Sequence, residues 1–206
     1  MRKYELADLA QHDEATALTT RQRTILGDLV ALILREGFGG WSVEDFAAEL
    51  GCSKSTLYAI AASKEQLMRA AVVEYFRGVA ERVEARLTAM PASSDALRTY
   101  LLAVADELQP ASSRFLLDVT SFAPARQVYE LNTRLAADRV RALIADGVRA
   151  GRYRKVDGAF VGVLTATMMS AIQRGEVGAL TGQSDGAGYK ALAEVVLNGI
   201  IGNPKQ

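Results

Sequence analysis

Residues 42–67, SVEDFAAELGCSKSTLYAIAASKEQL, carry two short helix patterns separated by one glycine turn. Val43, Phe46, Ala47 and Leu50 fall at i, i+3, i+4 and i+7, the apolar stripe of a helix too short to stand without packing. Gly51 supplies the positive φ that ends such a helix. Ser53 is placed to cap a second helix, with Leu57 as its inward anchor. The pattern predicts a helix-turn-helix whose second helix exposes Lys54, Ser55, Thr56 and Tyr58. Those side chains suit contact with phosphates and base edges in a DNA groove.

The rest of the composition narrows the fold class. Half of the 206 residues are apolar and 23% are charged, a balance that supports a buried core. Few prolines and many Ala, Leu, Arg and Glu predict an all-α protein. Net charge is zero, and between Thr19 and Ala70 the basic residues equal the acidic ones. Nucleic-acid binding therefore has to rest on the local placement of charge. One cysteine, Cys52, excludes an internal disulfide and is read as a small apolar filler. One histidine, His12, leaves no His-based triad or metal cluster, so neither an enzyme nor a cofactor or metal site is expected. The start, MRKYELADLAQHDE, turns acidic before any apolar run, which reads as no signal peptide. The uncharged run 158–173 is short for a membrane span and reads as a buried helix, so a cytoplasmic protein is expected.

Residues 1–18 form a polar leader with a weak helix pattern at Tyr4–Ala10. Thr19 or Thr20 caps a helix to about Arg35, and Thr19 with Gln22 has capping-box spacing. The next helix starts at Ser42, with Glu44 and Asp45 favourable to its dipole. Ser63 and Gln66 form a second box, opening a long helix from Lys64 to about Met90. Further helices are expected near Ser94–Leu108, Ala111–Phe122, Ala125–Ala150, Gly158–Arg174 and Ala187–Ile201. Asp157 is placed to cap the fourth of these, and five glycines from Gly175 to Gly188 read as a mobile connector.

This order of parts resembles the tetracycline-repressor (TetR) family of bacterial transcription regulators. The likeness is strongest over about Thr20 to Met68, roughly a quarter of the chain, and rests on LREGFGGWS, SVEDFAAELG, CSKSTLYAI and SKEQL. TetR-like proteins read close to V-S-K-G-T-L-Y-x-H-F-x-S-K-E across the last two. Ser55 stands where glycine is common, and Ile60-Ala61-Ala62 replaces His-Phe-x. The junction with the long helix is then either looser or filled by Trp41, and one phosphate-contacting histidine is lost.

The resemblance implies an amino-terminal three-helix DNA-binding domain, 19–65, followed by a larger helical effector-binding and dimerisation domain, 66–206. In that frame Lys54 reaches a guanine edge or a phosphate, Ser55 and Thr56 meet base edges, and Tyr58 bonds a phosphate. Lys64 adds charge at the start of the long helix, while Thr20, Arg21, Trp41 and Ser42 sit at helix starts beside the flanking strand. For Trp41 and Leu57 the structural role is preferred. An effector site in the middle helices would draw on Phe115, Val119, Phe122 and Tyr129 together with Thr165, Met168 and Met169, a lining suited to a small apolar molecule. Arg114 or Arg126 is available to orient an acidic group.

Ala159, Gly162, Ala166, Ser170 and Ala171 form a small-residue face, and Val195, Val196, Ile200 and Ile201 add apolar area on the last helix. The resemblance implies that these two helices pair with a second copy. The expected function is a ligand-responsive regulator, a repressor, that binds a palindromic operator as a homodimer and contacts no membrane. The alternative is an all-helical small-molecule-binding protein or an interaction adaptor with a vestigial helix-turn-helix.

Overall fold

The computed structural model describes residues 18–91, 95–183 and 185–201. The leader, His12, the Tyr4–Ala10 pattern and Ser94 lie outside them. The fold is all-α, and the described residues hold ten helices: α1 Thr20–Glu36, α2 Val43–Glu49, α3 Lys54–Tyr58, α4 Lys64–Ala89, α5 Ala96–Leu108, α6 Ser113–Ser121, α7 Ala123–Arg149, α8 Gly158–Gln173, α9 Glu176–Thr181 and α10 Asp185–Ile200. An antiparallel bridge between Tyr153 and Ile201 is the one β-type pairing among them.

Local chemistry sets most of these boundaries. Thr19 caps α1 in a full capping box with Gln22, and Ser42 caps α2 in another with Asp45. Ser53 Oγ accepts the Thr56 N–H at 3.2 Å, and Ser63 Oγ accepts the Gln66 N–H at the same distance. A Ser or Thr cap is worth about 0.5–2 kcal/mol over Ala, because it satisfies an N–H that the helix itself leaves unpaired. Gly51 takes φ +59° in the turn between α2 and α3. Asp95 caps α5, its carboxylate accepting the Arg98 N–H at 2.9 Å. Pro124 sits inside the first turn of α7, where its missing N–H costs nothing. The glycine-rich connector contains α9, held between Gly175 and Gly182, both left-handed.

The helices sort into two compact units. One comprises the described residues up to Ala80 with Pro110–Asn132; the other comprises Glu81–Gln109 with the described residues from Thr133 onward. In the first, Leu29, Ile33, Phe46, Leu57, Leu67 and Phe115 are all but sealed from solvent. Burying each is worth about 1.5–3 kcal/mol relative to exposure. The Phe38 ring meets Phe115 edge-on at 6.3 Å and Phe122 at 5.9 Å, while Tyr75 meets Phe115 at 5.6 Å.

In the second unit α10 packs on α5 and α8, around Leu97, Ile144, Tyr189 and Leu197. The segment after α7 stitches three elements together. The Tyr153 ring lies against Gly147, where a Cβ would come within 2.1 Å of it. Its hydroxyl donates to Asp95 at 2.5 Å, and Arg154 bonds the carbonyls of Ile200 and Gly199. Burial, then the bond to Asp95, pushes the Tyr153 hydroxyl well above its ordinary pKa, so it stays a donor.

Two expectations for α8 need correction. The helix is not buried: Gly162, Thr165 and Ile172 face inward, but Phe160, Val163 and Leu164 are 67%, 63% and 41% exposed. Gly162 lies not on an outward face but against α7, where a Cβ would sit 2.9 Å from the Ala137 carbonyl oxygen. Likewise Val196 and Ile200 are spent inside the unit, leaving Val195 and Ile201 exposed. Among the described residues no helix is long and apolar enough to cross a membrane.

Candidate nucleic-acid interface

The five residues of α3 divide cleanly between core and solvent. Leu57 is fully buried, Lys54, Ser55 and Tyr58 are exposed, and Thr56 is half-buried. Ser53 Oγ lies 2.7 Å from Ser55 Oγ and 2.8 Å from Thr56 Oγ1, so three hydroxyls cluster at the start of the helix. The turn after it is braced by the backbone: Ile60 and Ala61 N–H groups both reach the Leu57 carbonyl, and Gln22 of α1 donates to the Ala59 carbonyl at 3.0 Å. Trp41 stacks on Phe46 at 5.3 Å and 12°, bracing α2. Cys52 is half-buried in the turn.

Lys54 is engaged by Glu44 of α2 in a short ion pair between half-exposed side chains. The hydrogen bond from Lys54 holds the Glu44 carboxyl below its ordinary pKa, and the same contact raises that of Lys54. Exposed pairs of this kind add little to stability. Its consequence is positional, since it draws the Lys54 ammonium toward α2. Ser42 is exposed but its hydroxyl is committed: it donates to Asp45 at 2.7 Å and accepts the Asp45 N–H at 3.2 Å. Thr20 and Arg21 are exposed on the first turn of α1, and Lys64 is half-buried on that of α4. Glu65 bonds its own backbone amide and the Ser63 hydroxyl, which holds its carboxyl below the ordinary range.

The residues expected around an effector fall in different units. Phe115, Val119 and Tyr129 are buried core residues of the first, and Phe122 is half-buried there. Thr165, Met168 and Met169 belong to the second, where the Thr165 hydroxyl donates to the Val161 carbonyl at 2.7 Å. A cavity of about 200 Å³ opens in the first unit, bounded by Phe38, Lys64, Met68, Asp118 and Phe122. Phe122 alone among the expected lining residues borders it. Sequence reasoning placed Glu44 only as a charge favourable to its helix dipole and did not name Asp118. The first has a signal, an acid on α2 ten residues before Lys54, whereas the second has none.

The family profile described as bacterial regulatory proteins, tetR family, matches residues 25–71, which run from within α1 to the early turns of α4. Over these residues the chain is similar to the tetR family. An HTH-type transcriptional regulator of Bacillus subtilis (strain 168), YvaF, is 44% identical over 62 residues, 30% of this chain; the match spans about a third of that relative's length. Beyond the tetR head the likeness is one of fold. A transcriptional regulator from Saccharomonospora viridis in complex with choline superposes with a TM-score of 0.73 at 19% identity, covering 89% of this chain and 98% of that one. The TetR family regulator PfmR from Thermus thermophilus gives 0.63 at 24% identity, covering 84% and 97%. The fatty acid degradation regulator FadR from Bacillus halodurans gives 0.69 at 13% identity, covering 89% and 98%.

Proposed function

We propose that this protein is a ligand-responsive transcriptional regulator, a repressor, that binds a palindromic operator as a homodimer. The observation that carries the reading is the division of α3: Leu57 anchors it in the core while Lys54, Ser55 and Tyr58 stand in solvent at its exposed face. A helix held in this way enters the major groove with its first residues nearest the bases. Lys54 then exchanges Glu44 for a guanine edge or a phosphate, Ser55 and Thr56 meet base edges, and the Tyr58 hydroxyl meets a phosphate. Lys64, Thr20, Arg21 and Ser42 bind the flanking backbone. Residues 19–65 act as the DNA-binding domain and 66–206 as the effector-binding and dimerisation domain.

One such head offers too little contact for specificity in a genome, so two are needed, about one DNA turn or roughly 34–36 Å apart. The exposed Phe160, Val163, Leu164 and Val195 supply apolar surface on the last two long helices for pairing with a second copy. A small apolar effector taken up by the middle helices would weaken operator binding some 5–150-fold, the range of a typical coupling of about 1–3 kcal/mol. A fold similar to this one holds choline in its crystal structure, which supports the ligand-responsive reading.

The test is selection of bound fragments from the source genome, followed by mobility shifts over a salt series. Retention with a steep salt slope, near −0.9 per phosphate contact, supports the reading. Failure to retain any fragment favours the adaptor or small-molecule-binding alternative.

A further inference from the structure

Most polar contacts in the head join residues three or four apart, but one joins positions eighty apart. Asp118, in the middle of α6, accepts the Phe38 N–H at 2.5 Å and the Gly39 N–H at 2.8 Å, both on the same oxygen, Oδ2. These amides belong to the loop between α1 and α2. The loop is shaped for the carboxylate. Gly37 has φ +74°, and a Cβ there would lie 2.5 Å from Asp118 Oδ2 and 2.6 Å from Arg114 Cγ. At Gly39 a Cβ would lie 2.5 Å from Asp118 Oδ1. Between the two glycines the Phe38 ring inserts against Phe115 and Phe122, and one turn earlier the Ser112 N–H reaches the Leu34 carbonyl at 2.8 Å.

We propose that Asp118 is a positioning residue for the DNA reader: it grips the loop through backbone amides and so sets the direction in which α2 and α3 leave α1. Apolar packing alone is already provided by Phe38, and α6 is capped by Ser112, so neither task requires a carboxylate at 118. A carboxylate accepting two backbone N–H groups fixes a direction as well as a distance, because charge-assisted bonds are short and angle-dependent. Displacement of α6 then reaches the reader through the loop. The inference rests on the reading of α3 as a DNA reader.

The test uses the full chain as Asp118→Ala and Asp118→Asn, with hydrogen exchange and affinity for a selected genomic fragment measured on the same samples. For Asp118→Ala, amide exchange at Phe38, Gly39 and across α2 and α3 is expected to rise about tenfold or more, with α8 and α10 unchanged. Affinity is expected to fall at least tenfold. Asp118→Asn, which keeps one carbonyl oxygen, is expected between Ala and wild type on both measures. Faster exchange confined to the two loop amides with unchanged affinity overturns the proposal. So does a uniform rise through every helix, which marks a folding defect instead. If the wild type binds no fragment, the DNA reading fails by itself, and the exchange pattern alone supports or overturns the grip on α2 and α3.

Discussion

The head and the α8–α10 region present opposite kinds of surface. On α3 itself the one apolar side chain, Leu57, is sealed, and what remains outside is hydroxyl, ammonium and phenol. On α8 the reverse holds: Phe160, Val163 and Leu164, at i, i+3 and i+4, are exposed although the same helix buries a threonine completely. A surface of the first kind keeps its water until a polyanion replaces it, whereas one of the second kind is stabilised by any partner that covers it. The proposed reading assigns the first to a nucleic-acid face and the second to a protein face, without reference to net charge, which is zero.

The strongest way to break this contrast is at α8. Val163→Arg combined with Leu164→Glu is expected to convert a dimer into a monomer by light scattering and to lower operator affinity more than 100-fold. Chain folding should hardly change, since exposed substitutions away from special features usually fall within about 0.5 kcal/mol. A wild type that is already monomeric removes the protein-face interpretation.

On the other side, Lys54→Ala with Tyr58→Phe is expected to reduce the mobility shift about 10–100-fold with helical circular dichroism unchanged. Equal affinity would show that α3 is not the reader. A subtler change sharpens the same point. Glu44→Gln releases Lys54 from its ion pair, so DNA affinity should rise several-fold with a steeper dependence on salt; a fall instead would mean the pair holds Lys54 in its binding pose.

The smallest effect concerns the capping box of α2. Hydrogen bonds from the Ser42 N–H and hydroxyl hold the Asp45 carboxyl below its ordinary value of 3.8. Its folded pKa is the lower one, so the stabilisation is present above 3.8 and is lost as pH falls through the folded value. Protection factors in α2, with the intrinsic pH dependence of amide exchange divided out, should therefore stay flat down to that range and fall below it, and Asp45→Asn should abolish the step.

Helix starts were legible because a cap is settled within three or four residues. Thr19 with Gln22, Ser42 with Asp45, Gly51 and Ser53 each answer to their immediate neighbours, and the first two carry full capping boxes. The inward role of Leu57 was legible for the same reason, as one apolar position on a polar turn. Gly162 of the small-residue face on α8 was misread, because spacing says which residues share a side of a helix but not which neighbour that side meets. Gly162 met the Ala137 carbonyl of its own chain.

The sequence by itself determined an all-α chain with a glycine-jointed helix pair near its start, because periodicity, caps and turn residues act over one or two helical turns. Tertiary structure alone decided that Glu44 holds Lys54, that Asp118 grips the Phe38 and Gly39 amides, and that Phe160, Val163 and Leu164 remain uncovered. Each of those depends on where one helix lies against another, and a pairing across eighty residues leaves no periodic trace in the residues between.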